Sequence, residues 1–553
     1  MPGSRDTYAR LALAQVPRLL GNLDRNPYSP AYGSFHRDYW LDKTSDFSDA
    51  VRQFAVHALA LVYRSDFPGN AYKNHPKIRD WAVAALDFWA GIQHRDGSFD
   101  EFYPFERGWV GPTGFTTFAC AESFRLLQDE MPARTADRVI EALGRAARFI
   151  ALGESEEDHL ANHHAMACLA VWRVYELSGD QELKAGYERL WRRFLDYFES
   201  TEGWCREYDG ADPGYLSAVV SFLGKLYASN PDPQILEVIA KAVEFCSYFV
   251  YPDGYYAGSL GSRNTLHFYP HGFELVGREI PLASAVAEKM LEALGEDKLV
   301  PPHIMSDRYM VYRVPEFLQA YQDYAPRPAS LPPLPYEGPP ARYYFEKAGI
   351  TAETTERLYV IANLAKGGTV KVFDRHDGRL LLNDSGIIGR LEDGRVVTSQ
   401  WIDPQSTREV EGGSWTVEGF MHTIPANKLL TPLKGLLFRI VLMAVGWHPR
   451  LAHALKGQIR RSLIMGRHPT SARFSRRFRI NGSVVQIVDE VTTDSNSHFK
   501  AMSVGDEFYV RYVPQSRYFQ GQELKSEGRD LSDDELDLLN AEHRIVLERE
   551  VGA

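Results

Sequence analysis

The stretch Tyr324–Pro340, YAPRPASLPPLPYEGPP, divides the chain. Its prolines fix φ and remove amide donors, so it sustains neither a helix nor a central strand and reads as a semi-rigid linker. The hydrophobic pattern changes period across it. Upstream, from about residue 46 to 325, stretches with apolar residues three and four apart alternate with loops rich in Gly, Pro, Asp and aromatics. Helices are predicted over Ala50–Tyr63, Ile78–Gln93, Thr113–Leu127, Ala136–Ala151, Ala161–Ser178, Gln181–Glu199, Tyr215–Ala228, Pro233–Phe249, Leu282–Leu294 and Met310–Tyr324. Downstream the period is two, as in RLYVIANL, GTVKVFD, RLLLNDSG, GRVVTSQW, SWTVEGFM, FRINGSVVQIVDEV and EFYVRYV. Turn signals separate these runs: His376-Asp377-Gly378, Glu392-Asp393-Gly394 and Asn481-Gly482.

This switch predicts a multidomain chain, α then β. Residues 1–325 are read as an α/α toroid, an incomplete barrel of antiparallel helical hairpins around a central cleft. A Pro-rich linker at 326–340 follows, and 341–553 form an antiparallel β-sandwich with one inserted helix near 433–446. The charged tail from Ser526 to Val551 is read as a surface helix. A plain α-solenoid fits less well, because no repeat of fixed length emerges. A chain of 553 residues exceeds one ordinary core, and 44% hydrophobic with 24% charged residues excludes a disordered or low-complexity protein. Cys120, Cys168, Cys205 and Cys246 are too scattered for a disulfide framework or a zinc site and read as buried thiols.

A formal net charge of −11 argues against general nucleic-acid binding, yet a locally positive cleft still suits an anionic substrate. The basic run RFSRRFR at 473–479 reads as a solvated strand edge. The N-terminal MPGSRDTYARLALAQVPRLLGNLDRNPYSP has no basic region leading into an unbroken apolar core, which predicts no secretory leader and a cytoplasmic location. The most apolar run, Leu429 to Trp447, is interrupted by Pro432, Lys434 and Arg439. It predicts no transmembrane segment but a buried or interfacial helix, with peripheral membrane contact through it and Lys456, Arg460, Arg461 and Arg467 as an option. His422, His448, His453, His468, His498 and His543 are scattered, so neither a metal nor another cofactor is expected, and nothing in the sequence fixes an oligomeric state.

Four loops carry more polar and aromatic residues than packing requires. The first, Asp96–Tyr103, brings Glu101 and Tyr103 to a rim. The second is Asn162-His163-His164 at a helix start. The third runs from Tyr208 to Tyr215. The fourth, Gly261–Glu274, holds Arg263, Asn264, His267, Tyr269, His271 and Glu274. In a toroid, loops at one end of the helix pairs converge on the cleft. Each also has a structural reading: Asn162 as an N-cap, His163 and His164 as interior histidines, Tyr215 as a packed aromatic. Together they suit one reaction. Cleaving a glycosidic bond beside a uronic acid by β-elimination requires removal of the C5 proton, which becomes acidic once amide or cationic groups neutralise the adjacent carboxylate. Asn162, His163 or His164, Arg263, and His267 or His271 supply such groups. A tyrosine such as Tyr215 can take the proton and return it to the leaving oxygen, helped by nearby cations.

The predicted toroid followed by a β-domain, with Asn-His heading one helix and Gly-Tyr heading a later one, resembles the heparinase II/III-like polysaccharide lyases and the alginate lyases of similar architecture. The resemblance implies an Asn that binds the uronate carboxylate, matched by Asn162, and a Tyr acid matched by Tyr215, with His or Tyr as base. It implies an anionic polysaccharide as partner. The run Ala-Asp-Pro-Gly-Tyr-Leu-Ser at 211–217 departs from the group's Gly-Ser-Tyr, and a further histidine from the linker or β-domain side has only His376 and His271 as candidates. Three alternatives stand beside the lyase: a uronyl C5-epimerase sharing the first step, an α/α-toroid glycoside hydrolase using two of Asp100, Glu101, Glu106, Asp209, Asp212 and Glu274, and a non-catalytic glycan-binding or polysaccharide-assembly protein.

Overall fold

The structure, a computed structural model, describes residues 4–153, 160–425, 431–463, 466–495, 497–513, 517–525 and 527–552, and the side chains of these except 449, 453 and 459–463. The predicted helices form with small shifts at their ends. Gln181–Leu195 stops earlier than its pattern suggested, because Phe198–Glu199 pairs with Trp204–Glu207 in a small sheet that leads to Gly210–Ala211. Ala55–Arg64, Phe115–Leu127, Ala161–Ser178, Pro213–Ser229, Pro270–Leu275 and Asp307–Gln322 make an inner ring, each packing on the next. The inner ring closes, since Asp307–Gln322 also packs on Ala55–Arg64. Inner helices bury most of their residues, and every residue from Pro213 to Leu226 is buried. Outer helices such as Ala133–Leu152 bury a single stripe, Val139, Leu143, Ala147 and Ile150 among them.

Inside the ring sits a buried ion pair. Lys225 Nζ donates to Glu316 Oε2 at 2.7 Å and to Ser221 Oγ at 2.5 Å, and the His271 backbone N–H donates to Glu316 Oε1 at 3.0 Å. Burial alone would raise the Glu316 carboxyl, but Lys225 and His271 beside it bring it down to about 2. All four cysteines are buried and unpaired.

The linker region packs rather than floats: Leu334 and Tyr336 are buried, and Thr354 Oγ1 donates to the Pro335 carbonyl. Beyond it, Ala341–Phe345, Ile350–Thr354, Leu358–Asn363, Thr369–Asp374 and Leu380–Asp384 form a five-stranded antiparallel meander. A nine-stranded sheet follows, built on Ser414–Thr423, Pro469–Asn481 and Val484–Thr492. Three expectations are corrected here. The tail is helical only over Asp533–Glu542. Its alternation Ile545, Leu547 continues as the strand Arg544–Gly552, paired along its whole length with Val484–Thr492. The basic run at 473–479 is only half solvated, because strand alternation turns Arg476 inward, where Asp384 and Asp489 each hold it at 2.6 Å. The run EFYVRYV at 507–513 leaves the sheet, and its alternate side chains pack on the toroid instead.

A second helix, Pro449–Leu463, follows the expected one at Pro432–Val445, so the insertion is a hairpin. No helix among the described residues is long and apolar enough to cross a membrane.

Polar contacts join the two parts of the chain. Tyr359 Oη donates to the Tyr248 carbonyl at 2.5 Å, and Asn363 Nδ2 to the Leu260 carbonyl at 2.7 Å. The junction lies against the toroid loops that the sequence marked for chemistry.

Candidate active site

Two carboxylates organise the site. Glu207 ends the strand Trp204–Glu207 and is fully buried. It accepts the Asn162 backbone N–H at 2.6 Å, and both its oxygens lie 2.9 Å from Asn162 Nδ2. Leu160, two residues before Asn162, bridges to Glu207 and packs with Tyr208 and Tyr215. Asp212 caps the helix Pro213–Ser229, with Oδ1 accepting the Tyr215 N–H at 3.2 Å, while Oδ2 accepts the Arg263 N–H at 2.9 Å. One capping side chain thus fixes the backbones of Tyr215 and Arg263 to each other. Gly261 permits this, since a Cβ there would lie 2.6 Å from Asp212 Oδ2.

Burial raises the Asp212 carboxyl, while the Arg263 and Tyr215 amides and Lys366 oppose the rise. Lys366 comes from the β-region and reaches beneath the 259–264 loop. It donates to the Ser259 and Gly261 carbonyls at 2.7 and 2.6 Å and to Asn264 Oδ1 at 2.8 Å. Burial lowers this ammonium to about 7, with Asp212 opposing the fall and Arg511 and Arg263 adding to it. Asn264 and Tyr208 both hold positive φ, 56° and 60°, so the two loops carry backbone strain where they meet.

The β-region closes this wall. Arg511 pairs with Asp209, and its guanidinium lies 4.4 Å over the Trp401 ring. His422 stacks on Trp401 at 5.4 Å and meets Asp403 at 3.0 Å. Asn264 Nδ2 donates to the Arg511 carbonyl at 2.6 Å. The Arg263 guanidinium lies 4.0 Å over the Tyr208 ring and 3.7 Å from Asp209. Burial lowers Arg511 to about 10, with Asp209 opposing it. Val513 packs against Leu160, Tyr208 and Tyr215, leaving Tyr215 7% and Asn162 3% exposed.

Glu101 of the 96–103 loop and the His163 ring both border Gly111. A Cβ on Gly111 would lie 2.5 Å from Glu101 Oε2 and 4.0 Å from His163 Cε1. Arg308 holds Glu101 at 2.7 Å, and the His163 ring stands edge-on to Phe115. His267 lies beside Tyr518 and Tyr269, with ring centres 5.6 and 6.4 Å apart. Arg313 lies 4.5 Å over the Tyr269 ring, and burial pushes the Tyr269 phenol up to about 12. A narrow cavity in the inner ring is walled by Phe54, Phe115, Phe222, Tyr269 and Tyr312, with the Lys225–Glu316 pair in its lining.

Asn162, His163, Tyr208, Tyr215, Arg263, Asn264, His267, Tyr269 and Glu101 therefore belong to one linked set of loops. Five other expected residues stand apart. His164 points away and stacks on Tyr197 at 4.4 Å. His271, on the inner-ring helix Pro270–Leu275, faces Asp323 at 2.8 Å, and burial lowers it. Glu274 is held by Arg327 at 2.7 and 2.8 Å and by Tyr8 at 3.2 Å, bracing the chain where it leaves the toroid. Tyr103 packs on Phe438 of the inserted hairpin, and His376 is exposed in the turn after Thr369–Asp374. Glu207, Lys366, Trp401 and Arg511 were not singled out in the sequence, and His422 stood there only as one of six scattered histidines. The signal for Arg511 was present in EFYVRYV but mimicked a strand, and isolated residues such as Lys366 gave none.

Residues 70–270 match the family model described as the Ulvan lyase N-terminal domain. No curated protein matches the chain in sequence. Among solved structures, the Streptomyces coelicolor A3 chondroitin AC lyase in complex with chondroitin sulphate is similar, with TM-score 0.53 and 12% identity over 90% of this chain and 68% of that one. A Paenibacillus xanthan lyase is similar with TM-score 0.52 and 9% identity, over 90% of this chain and 46% of that one. The present chain thus spans less than half the length of the xanthan lyase. At these identities the likeness is one of fold: an α/α toroid followed by antiparallel β-sheets, the architecture of polysaccharide lyases.

Proposed function

We propose that this protein is a polysaccharide lyase that cleaves a uronate-containing polysaccharide by β-elimination. The observation that carries the reading is the bridging by Asp212, which ties Tyr215 to Arg263 in the wall where Glu207 holds Asn162. In this reading Asn162, Arg263 and His267 receive the uronate carboxylate. The Asn162 amide shares one N–H between the two Glu207 oxygens and offers its other N–H to substrate. Tyr215 removes the C5 proton and returns it to the departing oxygen, with His163, the residue after Asn162, as the candidate imidazole of the site. Arg263 and Arg511, both buried in this wall, favour an anion there, whether carboxylate or phenolate.

The carboxylates of the cleft favour elimination over hydrolysis. A glycoside hydrolase needs two opposed carboxyl groups facing the sugar. Here each candidate is committed to a structural partner. Asp100 accepts the Phe105 and Arg107 N–H groups, and Glu101 pairs with Arg308. Glu106 pairs with Lys456, Asp209 with Arg511 and Glu274 with Arg327, while Asp212 caps its helix.

The test is a panel of uronate polymers followed at about 235 nm, where the unsaturated product of elimination absorbs. Growth of that band supports the assignment. Deuterium incorporation at C5 without chain cleavage would replace it with epimerisation, and new reducing ends without the band would replace it with hydrolysis.

A further inference from the structure

The inserted hairpin, Pro432–Val445 and Pro449–Leu463, carries apolar residues on two faces. The inner face seats on the toroid. Phe438 meets the Tyr103 ring at 5.4 Å, Leu442 is buried, and the Gly446 and Trp447 carbonyls accept from Arg107 at 3.0 and 3.3 Å. Arg439 pairs with Asp46 at 2.7 Å and Lys456 with Glu106 at 3.1 Å. The outer face is different. Leu433, Leu436, Leu437, Ile440, Val441 and Met443 are each between 41% and 68% exposed, and Trp447 beyond them is 62% exposed. Leu433 to Val441 recur three and four apart, the spacing of one helical stripe. A contiguous stripe of this kind marks an interaction surface.

Charge identifies what covers it. No Asp or Glu occurs between Glu418 and Asp489, and besides Arg439 and Lys456, which Asp46 and Glu106 take up, Lys434, Arg450, Arg460, Arg461 and Arg467 fall in or beside the hairpin, on a chain whose formal net charge is −11. A two-fold contact with a second copy would set two wholly cationic segments against each other. A free polyanion would match the cations and leave the leucines in water. Acidic headgroups complement the cations while acyl chains take up the apolar stripe, and an exposed Trp suits the interface between them.

We propose that this hairpin docks the protein on an anionic lipid bilayer, lying in the headgroup plane without crossing it. Because Tyr103 and Glu106 hold the hairpin, docking sets the 96–106 rim of the cleft beside the membrane surface.

The test uses the full chain and vesicles of phosphatidylcholine, with or without about one third phosphatidylglycerol. Co-sedimentation at low salt is expected to be about tenfold stronger with the anionic vesicles, and to weaken as salt screens the cations. The triple variant L436S, L437S, I440S changes only exposed side chains and is expected to keep the wild-type melting temperature while losing about tenfold in vesicle affinity. Trp447 emission is expected to shift to the blue on docking, a change absent in W447F. Folded wild-type protein that ignores anionic vesicles at low salt would overturn the proposal. So would a triple variant that binds as tightly as wild type, or a dimer that the triple variant abolishes in the absence of vesicle binding.

Discussion

Replacing Tyr215 by Phe removes one oxygen and leaves its supports in place. The helix cap is a backbone contact, Asp212 Oδ1 to the Tyr215 N–H at 3.2 Å, and does not involve the phenol. The ring still packs against Leu160, Tyr208 and Val513. The stability cost is therefore that of one hydroxyl, about 1 kcal/mol, a small shift in melting temperature for a chain of this size. If the phenol moves the proton, the loss of turnover is far larger, about 10²–10⁴-fold. That corresponds to roughly 3–5 kcal/mol in the barrier. The two effects separate in paired measurements: initial rates at about 235 nm on the polymer that wild type cleaves, and thermal unfolding of the same preparations. A variant with more than about a tenth of wild-type turnover would take Tyr215 out of the chemistry, because no acid–base role is that small. An activity loss matched by a collapsed melting transition would assign it to packing instead.

Asn162→Ala leaves the Glu207 carboxylate buried without its amide partner and is expected to raise the barrier by about 2.7–4 kcal/mol if the amide stabilises developing charge. A fall in melting temperature with unchanged kcat/KM would mark it as a structural partner of Glu207 alone, since Leu160 and not Asn162 holds the N-cap position of this helix. Gly261→Ala puts a methyl 2.6 Å from Asp212 Oδ2 and is expected to displace that carboxylate, costing about 1–3 kcal/mol in stability and lowering kcat through Tyr215. Wild-type rates in that variant would show that the bridge does not position the tyrosine. Glu316 binds a proton at about pH 2 when folded, against an ordinary value of 4.5, so its contribution is complete above pH 4.5 and is lost as pH falls through about 2. Lys225→Met is expected to cost about 3–5 kcal/mol and to move the onset of acid unfolding upward, measured by denaturant titrations across pH; an unchanged acid limb would show that the pair does not govern it.

Much of this was legible along the chain. Period and proline content separate helix from strand because both are local properties: a side chain's facing repeats every 3.6 or two residues whatever lies opposite. The loops at 162–164, 208–215 and 261–269 stood out because buried Asn, His, Arg and Tyr are costly to place without partners. Misreadings arose where a local pattern has two spatial solutions. EFYVRYV alternates like a strand, yet its inward residues Arg511 and Val513 pack on the toroid. The tail reads as helical, but Ile545 and Leu547 join a sheet edge already present. His271 and Glu274 share a loop with Arg263, but the helix Pro270–Leu275 turns them toward Asp323 and Arg327.

The order of helix and strand, the place of the division and the residue types at the cleft are all written in local pattern. Which of those residues share a wall depends on contacts between distant parts of the chain. Glu207 meets Asn162 across 45 residues of chain, Lys366 meets Asn264 across 102, and Arg511 meets Asp209 across 302. Such contacts depend on how closed rings and sheets bring loops together, which no short-range periodicity encodes.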